Sequence, residues 1–321
     1  GFCLSFDQYK KLKGSHYFVE IDTSFKKGSM TLSECYLPGK VKKEILIHTY
    51  TCHPSMAVNE LSGPLVAAFL AKELKKKRNR YFSYRFVFAP ETIGAIAFLS
   101  KKEEYLKKNL IAGYICTCVG HKFQITYKKS RLGSTIADIA VKKIFSNIKG
   151  FKKKILSYSP SGSDERQYCS IGYNLPVGSL MRIPYGNYKE YHTSLDNKKI
   201  INFNAMYETI LIFEKIIQFF EKNPTKINQV ILRKKKDKKK NKIYPYTVIT
   251  KGEPFLTKRK ILYNTKDHAY ADKFTLATKW LIHFCDGFTN LRKISKLSKI
   301  NVSVLKKSLK VLIDKGIIKK I

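Results

Sequence analysis

Three histidines and a glutamate, each a few residues beyond a separate apolar run, are the side chains of this sequence best suited to chemistry. Glu44–Tyr50 (EILIHTY) is followed by TCHPS with His53, and Tyr84–Ala89 (YRFVFA) by PETIG with Glu91. Ala112–Val119 (AGYICTCV) is followed by GH with His121, and Leu175–Ile183 (LPVGSLMRI) by PYGNYKEYHTSLD with His192. Zinc takes imidazole, thiolate and carboxylate ligands, and a catalytic zinc keeps one position open for water. His53, His121 and His192 would supply the imidazoles. Glu91, in a partly desolvated cleft, would be the base that takes a proton from water. A histidine after a strand is by default a hydrogen-bonded loop residue, so it is the recurrence that carries this reading.

Two further polar clusters accompany them. TYTCHPSMAVNELSGP puts Cys52, His53, Asn59 and Glu60 in one loop, with Asn59 a candidate substrate contact. SPSGSDERQYCSIGYNLP puts Asp164, Glu165 and Arg166 together, where Asp164 would meet a substrate amine and Arg166 a carboxylate. A structural ion-pair network is the competing reading. Ser62 and Ser163 lie in no GxSxG elbow, which argues against a serine hydrolase. Cys52 and His53 are adjacent, and neighbours in an extended segment point apart, which argues against a thiol nucleophile with that partner.

The apolar runs must be strands of one sheet for these residues to meet. Helical spacing over Gly63–Lys75, Ile93–Ser100, Ser134–Ile148 and Phe203–Glu221 alternates with them, so the expected fold is α/β with a mostly parallel sheet. Ligands of such sheets bind outside the carboxyl ends of the strands. Residues 16–40 read as a small antiparallel hairpin around KKGS. Pro224 ends the last long helix, residues 223–266 read as a basic linker, and residues 267–321 carry three short helices and a strand, the outline of a winged helix.

Sixty-two Lys and Arg against 24 Asp and Glu give a net charge of +38, spread along the whole chain. Without clustering on a reading element, sequence-specific nucleic-acid binding is not expected. No apolar run approaches the length of a membrane span, so no membrane partner is expected either. Seven cysteines form no compact framework, and Cys116 and Cys118, two apart in an apolar run, are expected on one strand face as buried thiols. A reducing cytoplasm follows from that usage. The chain opens at Gly1 in GFCLSF, as an internal start would.

TYTCHPSMAVNELSGP, YRFVFAPETIGAIAFLS, GYICTCVGH, GSDERQYCSIGYNLPVGSLMR and YHTSLDN together resemble the uncharacterised aminopeptidase-like family, which is related to co-catalytic di-zinc aminopeptidases. The resemblance implies a three-layer α/β/α zinc-peptidase sandwich with a β insert, a C-terminal winged helix, a peptide or small amide as substrate, and a link to polysaccharide biosynthesis. It also implies departures. Tyr50 stands where a first histidine ligand would be, Cys52 where its aspartate partner would be, and Asn59 at the bridging aspartate. Glu91 keeps the base position, Thr92 replaces a second glutamate, His121 sits at the usual aspartate, and His192 keeps a late ligand. A neutral amide bridges two cations poorly, so one zinc or none is expected. The residues leave open a degenerate fold that only binds a ligand or protein, and they leave homo-oligomerisation open too.

Overall fold

The computed structural model describes residues 4–237, 244–261 and 273–320. Helix α1 (Phe6–Lys11) is capped by Ser5, and strand β1 (Ser33–Leu37) follows. Then come β2 (Glu44–Tyr50), a π-helical turn (Ala57–Leu61), α2 (Ser62–Lys76), β3 (Ser83–Ala89), α3 (Ile93–Asn109) and β4 (Leu110–Cys116). Next are β5 (Ile125–Lys128), α4 (Ile136–Asn147), β6 (Lys153–Leu156), α5 (Glu165–Tyr168), β7 (Val177–Met181), α6 (Phe203–Lys222) and α7 (Pro224–Asp237). The rest is β8 (Tyr246–Val248), α8 (Lys273–Phe284), α9 (Leu291–Ser298), α10 (Val302–Asp314) and β9 (Ile318–Lys320).

One seven-stranded sheet runs β1-β3-β2-β4-β7-β5-β6. Strands β3, β2, β4 and β7 are mutually parallel, so the four expected strands do end at one edge. Period-two alternation divides their side chains between two helical layers. Ile45, Ile47, Tyr84, Phe86 and Tyr114 pack in the core with α2, α4 and α6, whereas Leu46, Val87 and Ile115 pack in the core with α3 and α5. The architecture is therefore the expected α/β sandwich with a mostly parallel sheet.

Four local expectations are corrected. Residues 16–40 form no hairpin; the strand in that stretch is β1, which pairs antiparallel with β3 at the edge of the main sheet. Part of the expected linker is α7: Pro224 ends α6 and, lacking an N–H, also suits the first turn of the next helix. The rest of the charge run, residues 238–242, and residues 267–272 lie outside the described residues. The three C-terminal helices are found, yet their two-stranded sheet pairs β9 with β8, so this unit reaches back to Tyr246. Finally, Cys116 and Cys118 are both buried, but β4 stops at Cys116 and Cys118 turns with φ +49°.

Helix α2 starts against the ends of β2 and β4, and Gly63 permits the approach. A Cβ there would lie 2.5 Å from both the Cys116 carbonyl oxygen and the Thr49 hydroxyl. Gly63→Ala is therefore expected to destabilise the fold by about 1–3 kcal/mol, a typical overpacking cost, measured by urea denaturation.

Candidate functional site at the strand ends

After β2 the backbone turns within four residues: Met56 N–H donates to the His53 carbonyl, and Ser55 takes φ +66°. This turn is what brings Cys52 and His53 together, with Sγ 3.2 Å from Nδ1, so the expectation that they point apart fails. Glu60 closes the loop. Its carboxylate accepts the N–H of Cys52 at 2.6 Å and of His53 at 3.0 Å, and reaches His53 Nδ1 at 3.1 Å. The Cys52 contact first, and the Glu60 contact next, outweigh burial and raise the His53 imidazole to about 10.

Glu60 faces that loop because the turn carrying it is π-helical, with Leu61 N–H donating to the Met56 carbonyl. Buried Asp196 holds the start of that turn. It accepts the N–H groups of Ala57 (3.1 Å), Val58 (2.7 Å) and Asn59 (3.0 Å), and the Tyr188 hydroxyl at 2.8 Å. A carboxylate facing consecutive free N–H groups is favoured by both hydrogen bonding and the helix dipole.

Glu91 follows β3 in a tight turn where Ile93 N–H donates to the Glu91 carbonyl at 2.7 Å and Thr92 sits at φ 62°, ψ −69°. That is a strained conformation for a β-branched residue. Asp164 Oδ1 secures it by accepting Thr92 N–H at 2.7 Å. The Ser163 hydroxyl donates to Glu91 Oε1 at 2.5 Å, and Oε2 lies 3.8 Å from His53 Nε2. Burial, and then the Asp164 charge, hold the Glu91 carboxyl above its ordinary range despite those two partners. The His192 ring lies 5.1 Å from that of His53 and stacks on Tyr191 at 4.0 Å.

Of the three expected imidazoles, then, His53 and His192 are neighbours, and His121 packs against Phe123 and Tyr188. The chain after β4 is tied to the segment before α6 by Asn202 N–H donating to the Gly120 carbonyl, and His121 stacks on Phe123 at 4.4 Å. Among the described residues, the group whose ligand atoms lie within 4.8 Å of one another is Cys52, His53 and Glu60.

The other candidates are engaged internally. Asp164 is fully buried, with Oδ2 2.9 Å from His48 Nε2, whose Nδ1 in turn meets the Tyr168 hydroxyl at 2.7 Å. Glu165 is fully buried too; burial opposes its charge, but Lys128 Nζ at 2.7 Å and Ser179 Oγ at 2.8 Å bring its carboxyl below the usual range. Arg166 grips both oxygens of Glu253 at 2.9 and 2.7 Å. Burial works against that carboxylate as well, yet Arg166 and His283 hold it at about 2. These are the contacts of an ion-pair network, the competing reading of this cluster. Asn59 is buried likewise, its Oδ1 accepting from the Tyr50 hydroxyl at 3.5 Å and the Cys118 thiol at 3.8 Å, and Thr117 donates to Tyr50 at 2.5 Å. Burial keeps the Tyr50 phenol protonated and pushes the Cys118 thiol up to about 12. Two of the positions at which the resemblance implies metal ligands, Tyr50 and Asn59, thus sit in a neutral network. The neutral phenol and amide at these two positions supply no charge to offset the repulsion between two ions.

A family profile described as a domain of unknown function, DUF4910, matches residues 13–223. The chain belongs to this family. A Clostridium acetobutylicum protein, named as a candidate polysaccharide biosynthesis protein with an aminopeptidase-like domain, is 37% identical over 298 residues, covering 92% of this chain and 63% of that protein. The chain therefore spans less than two thirds of that relative. The crystal structure of a candidate peptidase from the same organism superposes with a TM-score of 0.63 at 34% identity, over 100% of this chain and 68% of that one. A zinc aminopeptidase from Bacillus subtilis matches with a TM-score of 0.49 at 12% identity, over 59% of this chain and 49% of that one.

Glu60, Cys52, Ser163, Asp196 and His48 are the site residues that sequence reasoning left without these roles. Glu60 follows Cys52 by eight positions in the same polar loop, which was the available signal. The pairing of Asp196 with residues 57–59 spans more than 130 positions and had none. Asp196→Ala strands buried N–H groups, so a loss of at least about 3 kcal/mol is expected in denaturant melts. Protease susceptibility near residues 52–60 should rise with it.

Proposed function

We propose that this chain forms the hydrolytic part of a peptidase-like enzyme acting on a peptide or small amide, with Glu91 as the base and one zinc held at His53. The observation that carries the reading is Glu91 itself. Its carboxyl is partly open to the strand-end crevice, raised above the ordinary carboxylate range, and aimed by Ser163 so that its second oxygen faces His53. A thiol, an imidazole and a carboxylate converging at Cys52, His53 and Glu60 are donors that suit one zinc. Bound there, the ion would supply Lewis acidity for polarising a scissile carbonyl.

The residues of the chain perform the proton work. Ser163 donates to Oε1 and leaves Oε2 to take a proton from the attacking water. Burial and the Asp164 charge keep that oxygen basic enough to accept the proton and to return it to the departing amine. The Thr92 turn, held by Asp164, keeps the carboxylate from swinging away. The relative's name supports a substrate connected with polysaccharide biosynthesis, and the unpaired thiols support a reducing cytoplasm. No helix among the described residues is long and apolar enough to cross a membrane. Helices α8–α10 with the β8–β9 ribbon support a winged-helix module, read here as a docking unit joined to the sandwich through Arg131–Asp286 at 2.9 Å. A second reading, a fold that binds without turnover, is favoured by the neutral Tyr50–Thr117–Asn59 network.

Glu91→Gln separates the two. Zinc-replete protein is assayed against aminoacyl and acylamino substrates, and the variant is expected to lose turnover by about 10²- to 10⁴-fold with its fold retained. Equal turnover in both proteins sinks the hydrolase.

The raised Glu91 pKa has a stability sign. A carboxyl whose folded pKa exceeds its unfolded one favours folding below the unfolded pKa and loses that contribution as pH rises through the folded value. At neutral pH the Glu91 charge is therefore a cost, and Glu91→Gln should melt higher than wild type at pH 7 but not at pH 4.

A further inference from the structure

We propose that Cys52, His53 and Glu60 are the ligands of a single zinc ion, a thiolate–imidazole–carboxylate set in place of three imidazoles. The proposal deepens the reading of a zinc held at His53, and rests on that reading only for the ion's use in hydrolysis. Its support is geometric. A tetrahedral zinc with Zn–S of about 2.3 Å and Zn–N or Zn–O of about 2.0–2.1 Å separates sulfur from nitrogen by about 3.6 Å and nitrogen from oxygen by about 3.3 Å. Here Cys52 Sγ and His53 Nδ1 are 3.2 Å apart, and His53 Nδ1 and Glu60 Oε2 are 3.1 Å apart. Opening the site by a few tenths of an ångström admits the ion.

The supporting contacts are those of a metal site. The N–H of Glu91 donates to Cys52 Sγ at 3.2 Å, fixing where the sulfur points. Glu60 is aimed by the N–H groups of Cys52 and His53, which together occupy part of its acceptor capacity and leave lone pairs on Oε2 for an ion. With Nδ1 on the metal, the Nε2 edge of His53 faces Glu91 Oε2, 3.8 Å away. Cys52 is exposed and His53 half-buried, so the fourth position is reached from solvent. A sulfur ligand selects zinc over magnesium, calcium or manganese. His121, against Phe123, is not required.

Cobalt(II) substitution tests the ligand set without any substrate. Apoprotein is titrated with cobalt and with zinc, and compared with Cys52→Ser and His121→Ala, each checked for native circular dichroism. One equivalent of cobalt should give a near-ultraviolet thiolate-to-metal charge-transfer band. The band should vanish in Cys52→Ser, which should also bind zinc at least about 100-fold more weakly, and persist in His121→Ala. Stoichiometric binding with no thiolate band, lost instead in His121→Ala, overturns this ligand set while leaving a zinc hydrolase intact. Turnover that survives chelation with no metal bound overturns both the set and the zinc, and absence of turnover with the band present removes only the hydrolase.

Discussion

The Glu60 carboxylate, taking the N–H groups of two successive residues at the end of β2, is the interaction on which the site depends. Without it, Cys52 and His53 are adjacent residues of a loop with no reason to present thiol and ring to the same point. Glu60 can take that position because the chain enters α2 through a π-helical turn, and Asp196 gives that turn its fixed start. The two carboxylates act in series. Asp196 holds the turn from the side of the late loop that also carries His192, and Glu60 passes the constraint to the strand end. Residues from two distant segments are thereby fixed to one another by backbone amides.

A second carboxylate pair divides the labour differently. Asp164, buried against His48, anchors Thr92 and contributes its charge to Glu91, whereas Glu165 next to it is neutralised by Lys128 and faces the interior. Adjacent acidic residues thus serve opposite ends: one tunes the site electrostatically, the other closes a buried ion pair. Arg166 turns toward Glu253, tying the segment after β8 to α5. A positive chain with few carboxylates spends several of them on internal anchoring, and the exposed lysines are left to the solvent. The strand-end region that would carry a second metal is instead filled by a phenol, a hydroxyl, an amide and a thiol, all neutral when buried.

Hydrophobic periodicity made the sandwich legible. Strands β2, β3, β4 and β7 and helices α2, α4 and α6 fall close to their expected ranges, and α3 starts where expected, because burial on both sheet faces imposes long apolar runs and helical stripes that local sequence cannot hide. The edge was less readable. Residues 16–32 alternate polar and apolar side chains as a hairpin would, but alternation states only that a strand would be amphipathic, not that a partner strand exists.

What the sequence determined by itself is the set of strand ends from which chemistry can come: His53, Glu91, His121 and His192 each follow a strand, and all four strands are parallel neighbours. What only the tertiary structure decided is which of those residues meet. A turn at Ser55 joins Cys52 to His53, Phe123 and Tyr188 pack against His121, and internal partners hold the buried Asp164, Glu165 and Asn59 and the partly exposed Arg166. The reason is one of length scale. Ligand geometry is set within a few tenths of an ångström by loop dihedrals and by hydrogen bonds between residues more than a hundred positions apart, whereas residue type and spacing specify only the element on which a side chain is carried.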